Sequence, residues 1–204
     1  MLNALQRGGQ LNRLKALWRD GQCTLGVIAT IPSVETVLIM ARAGLDWIII
    51  DMEHGAIDAS MCLAMIAATS GTPLVPLVRV SATSTAHAKL PLDLGAFGIC
   101  FPMITTRADA EAAVRAVRYP PVGERFWGPF YAPLRWGVPP QEYLDRADDE
   151  VLAIGTIEHF DETEVIDDLP LELAYAMAAA KHGVVVERVH YELGDSPIPA
   201  PRRG

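Results

Sequence analysis

Two carboxylates and one imidazole follow directly after an apolar, β-branched run of the chain. Asp51, Glu53 and His54 come after residues 47–50, which read Trp-Ile-Ile-Ile. Such a run predicts a strand that is buried on both faces, as in a parallel sheet. Because buried charges cost free energy unless they are paired, a group of them at the carboxyl end of this strand indicates a functional site. A solvated acidic loop is the alternative interpretation.

Further polar residues fall at the ends of later predicted strands. Arg79 closes one of these strands, and Glu158 and His159 close another. The carboxyl ends of the strands share one face of a βα barrel, so side chains that are distant in sequence can meet there. We therefore expect these residues to converge with the group that follows residue 50.

The chemistry that these side chains offer is proton transfer, anion stabilisation and metal binding. His54 can accept a proton near neutral pH, and Asp51 is a candidate to orient its ring. Arg79 is permanently charged and suits a carboxylate or an enolate oxygen, although an ion pair with Asp51 or Asp93 is the alternative. Glu158 is a candidate ligand for a hard divalent cation.

The order of the predicted elements favours an α/β fold of the (β/α)8 TIM-barrel type, incomplete near the C-terminus. Strands predicted from the apolar runs are each followed by a helix, a repeat that forces parallel strands. A doubly wound open sheet is the competing architecture, but no Gly-rich phosphate turn follows the first strand. The predicted strands cover residues 24–30, 46–51, 74–80, 96–101 and 151–157. Residues 122–138 are predicted to form a long loop that carries at most a short strand.

Composition restricts the partners of the chain. Its 204 residues carry a formal net charge of −8, and no basic cluster is present, which argues against a nucleic-acid partner. No apolar stretch reaches the roughly 20 residues needed to span a bilayer, and residues 1–11 lack the pattern of a secretory signal. Three widely spaced cysteines without metal-binding spacing are typical of reduced thiols. We expect a cytoplasmic protein with no membrane partner.

Several short motifs, taken in order, resemble the HpcH/HpaI aldolase family. The resemblance covers about residues 20 to 160. The motifs are Ala-Gly-Leu-Asp-Trp at 43–47, Ile-Asp-Met-Glu-His-Gly at 50–55, Val-Arg-Val at 78–80, Leu-Asp-Leu-Gly-Ala at 92–96, Pro-Met at 102–103, Arg-Tyr-Pro-Pro-Val-Gly at 118–123 and Ile-Glu-His at 157–159. Any one of these motifs is weak, whereas their order and spacing together are specific.

The resemblance implies a metal-dependent class II pyruvate aldolase that cleaves or forms 4-hydroxy-2-oxo acids. By similarity, His54 oriented by Asp51 would transfer protons through a water, and Arg79 would bind substrate and stabilise the enolate oxygen. Glu158 would bind Mg²⁺, Mn²⁺ or Co²⁺, which would chelate the keto acid. Asp93 matches a family position near subunit contacts and is a second substrate-binding candidate. The implied partners are a small keto acid and an aldehyde, with a homo-oligomer if the fold is intact.

The C-terminal part departs from the family pattern. The Gly-Pro-x-Asp-Leu turn, whose aspartate is the family's second metal ligand, is not found after Glu158, so we expect impaired activity. Residues 170–183 are predicted to form a late helix and residues 184–189 a final strand, within one domain over 1–193. The Pro-rich tail 194–204 is predicted to be disordered. A truncated, non-catalytic relative that binds a keto acid or a partner chain is the alternative; a phosphate-binding barrel isomerase is disfavoured by the lack of a Gly-rich turn.

Overall fold

The computed structural model describes residues 11–156 and the backbone of residues 173–175. Its helices and strands alternate along most of this length, and none of the described helices is long and apolar enough to cross a bilayer. In chain order the elements are α1 (Arg13–Arg19), β1 (Gly26–Ala29), α2 (Val34–Met40), β2 (Trp47–Asp51), α3 (Ala59–Ala68), β3 (Val75–Arg79), α4 (Thr85–Asp93), β4 (Gly98–Phe101), α5 (Arg107–Val117), α6 (Ala132–Trp136), α7 (Pro140–Glu150), β5 (Leu152–Gly155) and β6 (Leu173–Tyr175).

The six described strands form one parallel sheet in sequential order from β1 to β6. Sequential parallel order with helical crossovers is the arrangement of a βα barrel, and it differs from the strand order of a doubly wound sheet. The predicted α/β fold of barrel type is therefore confirmed. The final strand predicted over 184–189, the tail 194–204 and the domain boundary at 193 lie outside the described residues.

Alternate residues of β2 face two different cores. Ile48 and Ile50 pack in the large cluster between the sheet and its helices, together with Met65 of α3. Ile49 belongs to a smaller cluster on the opposite face of the sheet. Because side chains alternate along a strand, Asp51 lies on the same inner face as Ile49. A strand of uniformly apolar residues thus delivers a carboxylate to the inner face at its carboxyl end.

Helix α1 closes the amino end of the inner face. Leu14 is fully buried and packs in one cluster with Ile49, Leu77, Cys100 and Ile154, which come from β2 to β5. Since a single side chain shares a cluster with residues of four successive strands, the sheet curves around this helix, as in a barrel. The amino end of the inner face is therefore filled by apolar side chains.

Polar groups beside Leu14 form hydrogen bonds with one another. The Glu150 carboxylate accepts hydrogen bonds from the backbone N–H groups of Leu11 and Asn12, both at 2.9 Å. The fully buried Asn12 side chain donates to the carbonyl oxygens of Phe97 and Glu150 and accepts from the N–H of Leu14. Arg146 Nη2 lies 3.0 Å from Glu150 Oε1. This network holds the start of α1 against the end of α7.

Side chains cap the starts of three helices. The side chains of Ser33 and Asp58 accept hydrogen bonds from the backbone at the starts of α2 and α3, as N-caps do. Thr106 and Asp109 form a capping box at the start of α5. These caps join residues that are close in sequence, so each helix start is determined locally.

Two predicted elements are wrong. The segment 122–138, predicted as a loop with at most a short strand, contains the short helix α6, which ends at Gly137 with a φ of 70°. Trp136 of this helix stacks on Phe97 with 4.5 Å between ring centroids. Residues 173–175, predicted within a helix, form β6, which pairs with β5. In both cases packing or pairing with a distant segment overrides the local sequence preference.

Candidate active site

The centre of the carboxyl end is an ion pair between neighbouring strands. Asp51 and Arg79 are register partners at the ends of β2 and β3. Arg79 Nε donates to Asp51 Oδ1 at 3.0 Å, and Arg79 Nη2 donates to Oδ2 at 2.5 Å. The Asp51 side chain is fully buried, and that of Arg79 is only 12% exposed. This two-point contact fixes the plane of the guanidinium.

Opposing effects act on the pKa of Asp51. Burial alone would raise it, but the hydrogen bonds from Arg79 and from the backbone of His54 and Glu53 lower it below the ordinary value for an aspartate. The hydrogen bond to Asp51 likewise raises the pKa of Arg79. Both groups are therefore charged at neutral pH, and the carboxylate serves as a fixed anchor for the guanidinium.

The Asp51 carboxylate also shapes the turn that follows β2. Its Oδ1 accepts the backbone N–H groups of Glu53 at 3.0 Å and of His54 at 3.1 Å. The turn closes against the sheet at Gly55, where an added Cβ would lie 2.4 Å from the carbonyl oxygen of Asp51 and 2.9 Å from that of Thr30. Only glycine fits this close approach, and the turn therefore projects residues 53 and 54 from the end of β2.

The role of Asp51 in orienting the His54 ring stays a prediction, and the contacts of Asp51 in this structure are with other groups. Asp51 bonds the backbone of His54, and its side-chain oxygens are occupied by Arg79 and by two backbone N–H groups. The carboxylate near the imidazole is Glu53, whose Oε2 lies 3.5 Å from His54 Nε2. The sequence places both acids close to the histidine, but only the turn geometry decides which of them lies nearer to the imidazole in this structure.

Glu53 lies between the cation and the imidazole. Its Oε2 is 3.3 Å from Arg79 Nε as well as 3.5 Å from His54 Nε2. This oxygen is buried and accepts no hydrogen bond from any described residue. The Glu53 side chain is 15% exposed and that of His54 is 61% exposed. The site therefore combines a fixed anion–cation pair with an exposed imidazole beside an unsatisfied carboxylate oxygen.

This arrangement can stabilise an oxyanion and move a proton. Arg79 uses Nε and Nη2 on Asp51, and Nη1 makes no hydrogen bond to another described residue. That nitrogen is available to an anionic oxygen, which a guanidinium binds well. With His54 neutral, the two carboxylates and one guanidinium sum to one negative charge, so a proton on the imidazole makes the group electrically neutral.

Asp93, the other predicted substrate ligand, is occupied by cations of its own chain. It is the last residue of α4, is buried, and pairs with Lys89 and, at 3.1 Å, with Arg125 Nη2. The fully buried Arg125 also donates to Tyr143 Oη at 2.8 Å and lies over the Tyr119 ring. Within the described part of the chain Asp93 contacts no member of the Asp51–Arg79 group, and its role in substrate binding stays a prediction.

The predicted metal ligand lies outside the described residues. Strand β5 ends at Gly155, and Glu158 and His159 follow it in sequence beyond the last residue described there. Within residues 11–156, no three His, Cys, Asp or Glu side chains are grouped so that they could hold a metal ion. The described part of the site alone therefore does not form a metal centre, and the metal-binding role of Glu158 stays a prediction.

Two features of the molecule were not predicted from the sequence. Glu53 was recognised as ionisable but given no role. It lies in the turn beyond Asp51, the last residue of β2, so the alternation of side chains along a strand does not place it. The buried Arg125 carried no local signal either, because its partners come from α4, α7 and the loop between α5 and α6.

Comparison with known proteins gives a consistent result. Residues 31–185 match the family model described as HpcH/HpaI aldolase/citrate lyase. A hydroxypyruvate/pyruvate aldolase of Sagittula stellata is 34% identical over 78% of this chain and 62% of its own length. A 4-hydroxy-2-oxovalerate aldolase of Novosphingobium aromaticivorans is 38% identical over 72% of this chain and 56% of its own length. The chain thus spans about three fifths of the curated relatives that it matches.

A solved structure supports the same relationship. An HpcH/HpaI aldolase/citrate lyase family protein from Burkholderia cenocepacia J2315 superposes with a TM-score of 0.70 and 31% sequence identity. The alignment covers 80% of this chain and 68% of that protein. The resemblance inferred from the sequence motifs is confirmed by both comparisons, and the fold of the described strands agrees with it.

Proposed function

Because this chain belongs to the HpcH/HpaI aldolase/citrate lyase family, we propose that it is a carbon–carbon lyase of the class II aldolase type. It would cleave 4-hydroxy-2-oxo acids to pyruvate and an aldehyde, or form them in reverse. The observation that carries this proposal is the Arg79 guanidinium, anchored at two points by buried Asp51 beside the exposed imidazole of His54. Aldolase names among the relatives support the same reaction class.

The described residues account for the charge and proton movements of this reaction. In cleavage, the proton of the C4 hydroxyl passes through a water to His54, and the C3–C4 electron pair becomes the C2–C3 double bond of an enolate. The aldehyde leaves, and Arg79 Nη1 stabilises the negative charge on the C2 oxygen. The proton held by His54 then returns to C3 and gives pyruvate. Asp51 remains charged throughout and holds the guanidinium in place.

A divalent metal is part of the proposal at the level of the family. Glu158 would be the residue that holds Mg²⁺, Mn²⁺ or Co²⁺, and such an ion would act as a Lewis acid toward the carboxylate and keto oxygens of the substrate. The absence of the family's second aspartate from its expected turn leads us to expect weak metal binding. The steps assigned to His54 and Arg79 do not depend on which ion binds.

A homo-oligomer in the cytoplasm is the proposed state of the protein. Five large apolar side chains are exposed in the stretch 126–134, which follows the buried Arg125. These side chains are Phe126, Trp127, Phe130, Tyr131 and Leu134, which are 50–80% exposed. A concentration of exposed large apolar side chains is typical of a protein contact, which supports self-association.

The test of the proposed activity is metal-dependent formation of a carbon–carbon bond. The full chain is incubated with pyruvate and a simple aldehyde, with Mg²⁺, Mn²⁺ or Co²⁺ or with a chelator, and the hydroxy keto acid is measured. We expect product with metal and none with chelator. We also expect loss of product in His54→Ala and Arg79→Ala. His87→Ala, which changes an exposed histidine bonded to Ser84, is the matched control and should remain active.

The non-catalytic alternative predicts a different result. A folded chain that takes up no metal and turns over none of the aldehydes, but binds a keto acid, would support that alternative and contradict the lyase. Circular dichroism of each variant separates loss of chemistry from loss of folding.

A further inference from the structure

We infer that a cavity at the amino end of the sheet binds a small carboxylate, at a site separate from the Asp51–Arg79 group. The cavity has a volume of about 180 Å³ and lies between the start of α1, the turn that follows α3 and helix α6. Because one water takes up about 30 Å³ in the liquid, the cavity has room for about six waters or for an organic anion of similar size. Its walls combine one guanidinium and one hydroxyl with an aromatic pair.

The cavity is distant from the proposed active site. Val75 lines it at the amino end of β3, whereas Arg79 is the last residue at the carboxyl end of the same strand. A strand rises about 3.3 Å per residue, so these two positions are roughly 13 Å apart. A small ligand in the cavity therefore does not reach the Arg79 guanidinium, and the cavity is a second site.

Arg135 supplies a cation to the cavity that no acid among the described residues neutralises. Its Nη1 donates to Ser70 Oγ at 3.2 Å, and its Nε and Nη2 make no hydrogen bond within residues 11–156. The stem of Arg135 packs over Gly95, where φ is +108° and an added Cβ would lie 2.7 Å from Arg135 Cγ. The guanidinium is therefore held in place before a ligand arrives, which lowers the entropic cost of binding.

The second arginine of the cavity does not compete for the ligand. Arg13 Nη1 lies 2.8 Å from Asp46 Oδ1, so its charge is balanced by a neighbouring carboxylate. The lining residues thus carry one unbalanced positive charge, at Arg135. A ligand with one negative charge would make the cavity neutral.

Ser70 offers a second donor beside the guanidinium. Its Oγ accepts Arg135 Nη1, and its own hydroxyl hydrogen is donated to no group in the described part of the chain. The neighbouring hydroxyls are already used, because Thr69 donates to the carbonyl of Ile66 at 2.8 Å and Thr72 donates to that of Thr69 at 2.7 Å. A carboxylate can therefore accept hydrogen bonds from both Arg135 and Ser70.

The apolar part of the wall selects the remainder of the ligand. Trp136 stacks on Phe97 with 4.5 Å between ring centroids, and the indole N–H of Trp136 donates to the carbonyl oxygen of Gly95 at 3.3 Å. Ile66, which is 1% exposed, also lines the cavity. Apolar walls with a few polar donors fit a carboxylate that carries a short apolar body better than a strongly hydrated anion such as phosphate.

The binding test uses isobutyrate, with isobutyramide as the uncharged analogue of the same shape and inorganic phosphate as the anion without an apolar body. In the full chain with ¹⁵N-labelled tryptophan, the indole signal of Trp136 is assigned with Trp136→Phe and followed by NMR. We expect isobutyrate to shift this signal with a dissociation constant of about 1 mM, and the other two compounds to bind at least about tenfold more weakly. The indole signals of Trp18 and Trp47, which both donate to Thr24, should not shift.

Variants of the two donors test the assignment. Arg135→Gln should weaken isobutyrate binding at least about tenfold, because the charged partner of the carboxylate is lost. Arg42→Gln, which changes an exposed arginine bonded only to the carbonyl of Leu38 in the described part of the chain, is the matched control and should bind isobutyrate normally. Ser70→Ala changes an exposed residue, so the fold should tolerate it, and it should weaken binding about threefold to tenfold.

Arg79→Lys separates the two sites, and the shift of the Trp136 signal should persist in this variant. Loss of the shift in Arg79→Lys would assign the ligand to the proposed active site and overturn the inference. A Trp136 signal that does not respond to isobutyrate would show that the cavity holds water only. Equal affinity for phosphate or isobutyramide, or unchanged affinity in a folded Arg135→Gln, would overturn the inference as well. None of these outcomes depends on aldolase activity.

Discussion

The two ends of the parallel sheet both bury polar side chains, but they differ in whether those side chains are fully hydrogen-bonded. At the amino end, the buried residues Asn12 and Glu150 are hydrogen-bonded to one another, close to the apolar side chain of Leu14. Asn12 also donates to the carbonyl oxygen of Phe97. At the carboxyl end, Glu53 keeps a buried oxygen without a hydrogen bond beside the exposed His54. Polar groups that are fully satisfied by the protein stabilise it, whereas groups left unsatisfied at an open face remain available to a ligand.

The comparison also separates two uses of an acid–base pair. Arg146 pairs with Glu150, whose carboxylate accepts the N–H of Leu11 and so holds the start of α1 against the end of α7. Arg79 beside Asp51 is held at two points, so its third nitrogen has a fixed position and makes no hydrogen bond to another described residue. The first pair should therefore matter for stability and the second for turnover, which makes the difference measurable.

The largest expected effect comes from Arg79→Lys at the carboxyl end. Lysine keeps the charge but loses the two-point contact with Asp51, so the position of the cation is no longer fixed. We expect kcat to fall about 10²- to 10³-fold, the range for removal of one oxyanion donor. Steady-state kinetics of aldol cleavage measure this change. Arg107→Lys, in an exposed pair with Glu111, is the control, and equal losses in both variants would contradict the assignment.

The next effect is expected at the amino end, from Leu14→Ala. Removal of this fully buried side chain leaves a cavity among the inner residues of β2 to β5 and should lower the free energy of unfolding by about 2–5 kcal/mol. Urea denaturation measures the loss. Leu25→Ala, at a position that is 67% exposed, should change stability little. Turnover per folded molecule should stay the same in both variants.

A smaller effect is expected from Glu150→Gln. Glutamine keeps one oxygen acceptor, but an NH2 group replaces the other oxygen. One of the N–H groups of Leu11 and Asn12 therefore faces a donor and loses its partner. We expect a loss of about 1–3 kcal/mol in unfolding free energy and no change in kcat. Glu142→Gln, which pairs with the same Arg146 but is more exposed, is the matched control. A lower kcat in Glu150→Gln would contradict the assignment of the amino end to stability and the carboxyl end to turnover.

The smallest effect at neutral pH concerns Asp51 and the fall in the free energy of unfolding at acid pH. The pKa of Asp51 is lowered in the folded state, so its stabilising contribution is complete above the unfolded value of about 3.9 and is lost as pH falls through the folded value. The pKa values of Asp46 and Asp109 are also lowered, so only a difference between variants isolates Asp51. Unfolding free energies measured from pH 7 to pH 2 should fall more steeply in the unaltered chain than in Asp51→Asn. Parallel curves would contradict the assignment.

The sequence predicted the parts of this molecule that depend on local patterns. Apolar runs and caps such as Ser33 and Thr106 identify the strands and helices, and the parallel order follows from their alternation. The convergence of Asp51, His54 and Arg79 followed from their positions at strand ends. These signals are local or follow directly from the geometry of parallel strands.

The remaining features depend on contacts that no local pattern encodes. Strand β6 forms in an Ala- and Leu-rich segment because it pairs with β5, and α6 forms where Trp136 packs on Phe97. Which carboxylate lies nearer to the imidazole depends on how one turn distributes its hydrogen bonds. Such choices are decided by a few tenths of an ångström, which spacing in a sequence cannot specify.

The central claim is that the carboxyl-end group of His54, Arg79 and their two acids moves protons on a pyruvate enolate. Exchange of the pyruvate methyl protons with deuterium, followed by NMR in the presence of a divalent metal and without aldehyde, tests it most directly. We predict exchange with the unaltered chain and with His87→Ala, and loss of exchange with His54→Ala. Exchange that survives His54→Ala unchanged, or none in a folded chain that binds pyruvate, would contradict it.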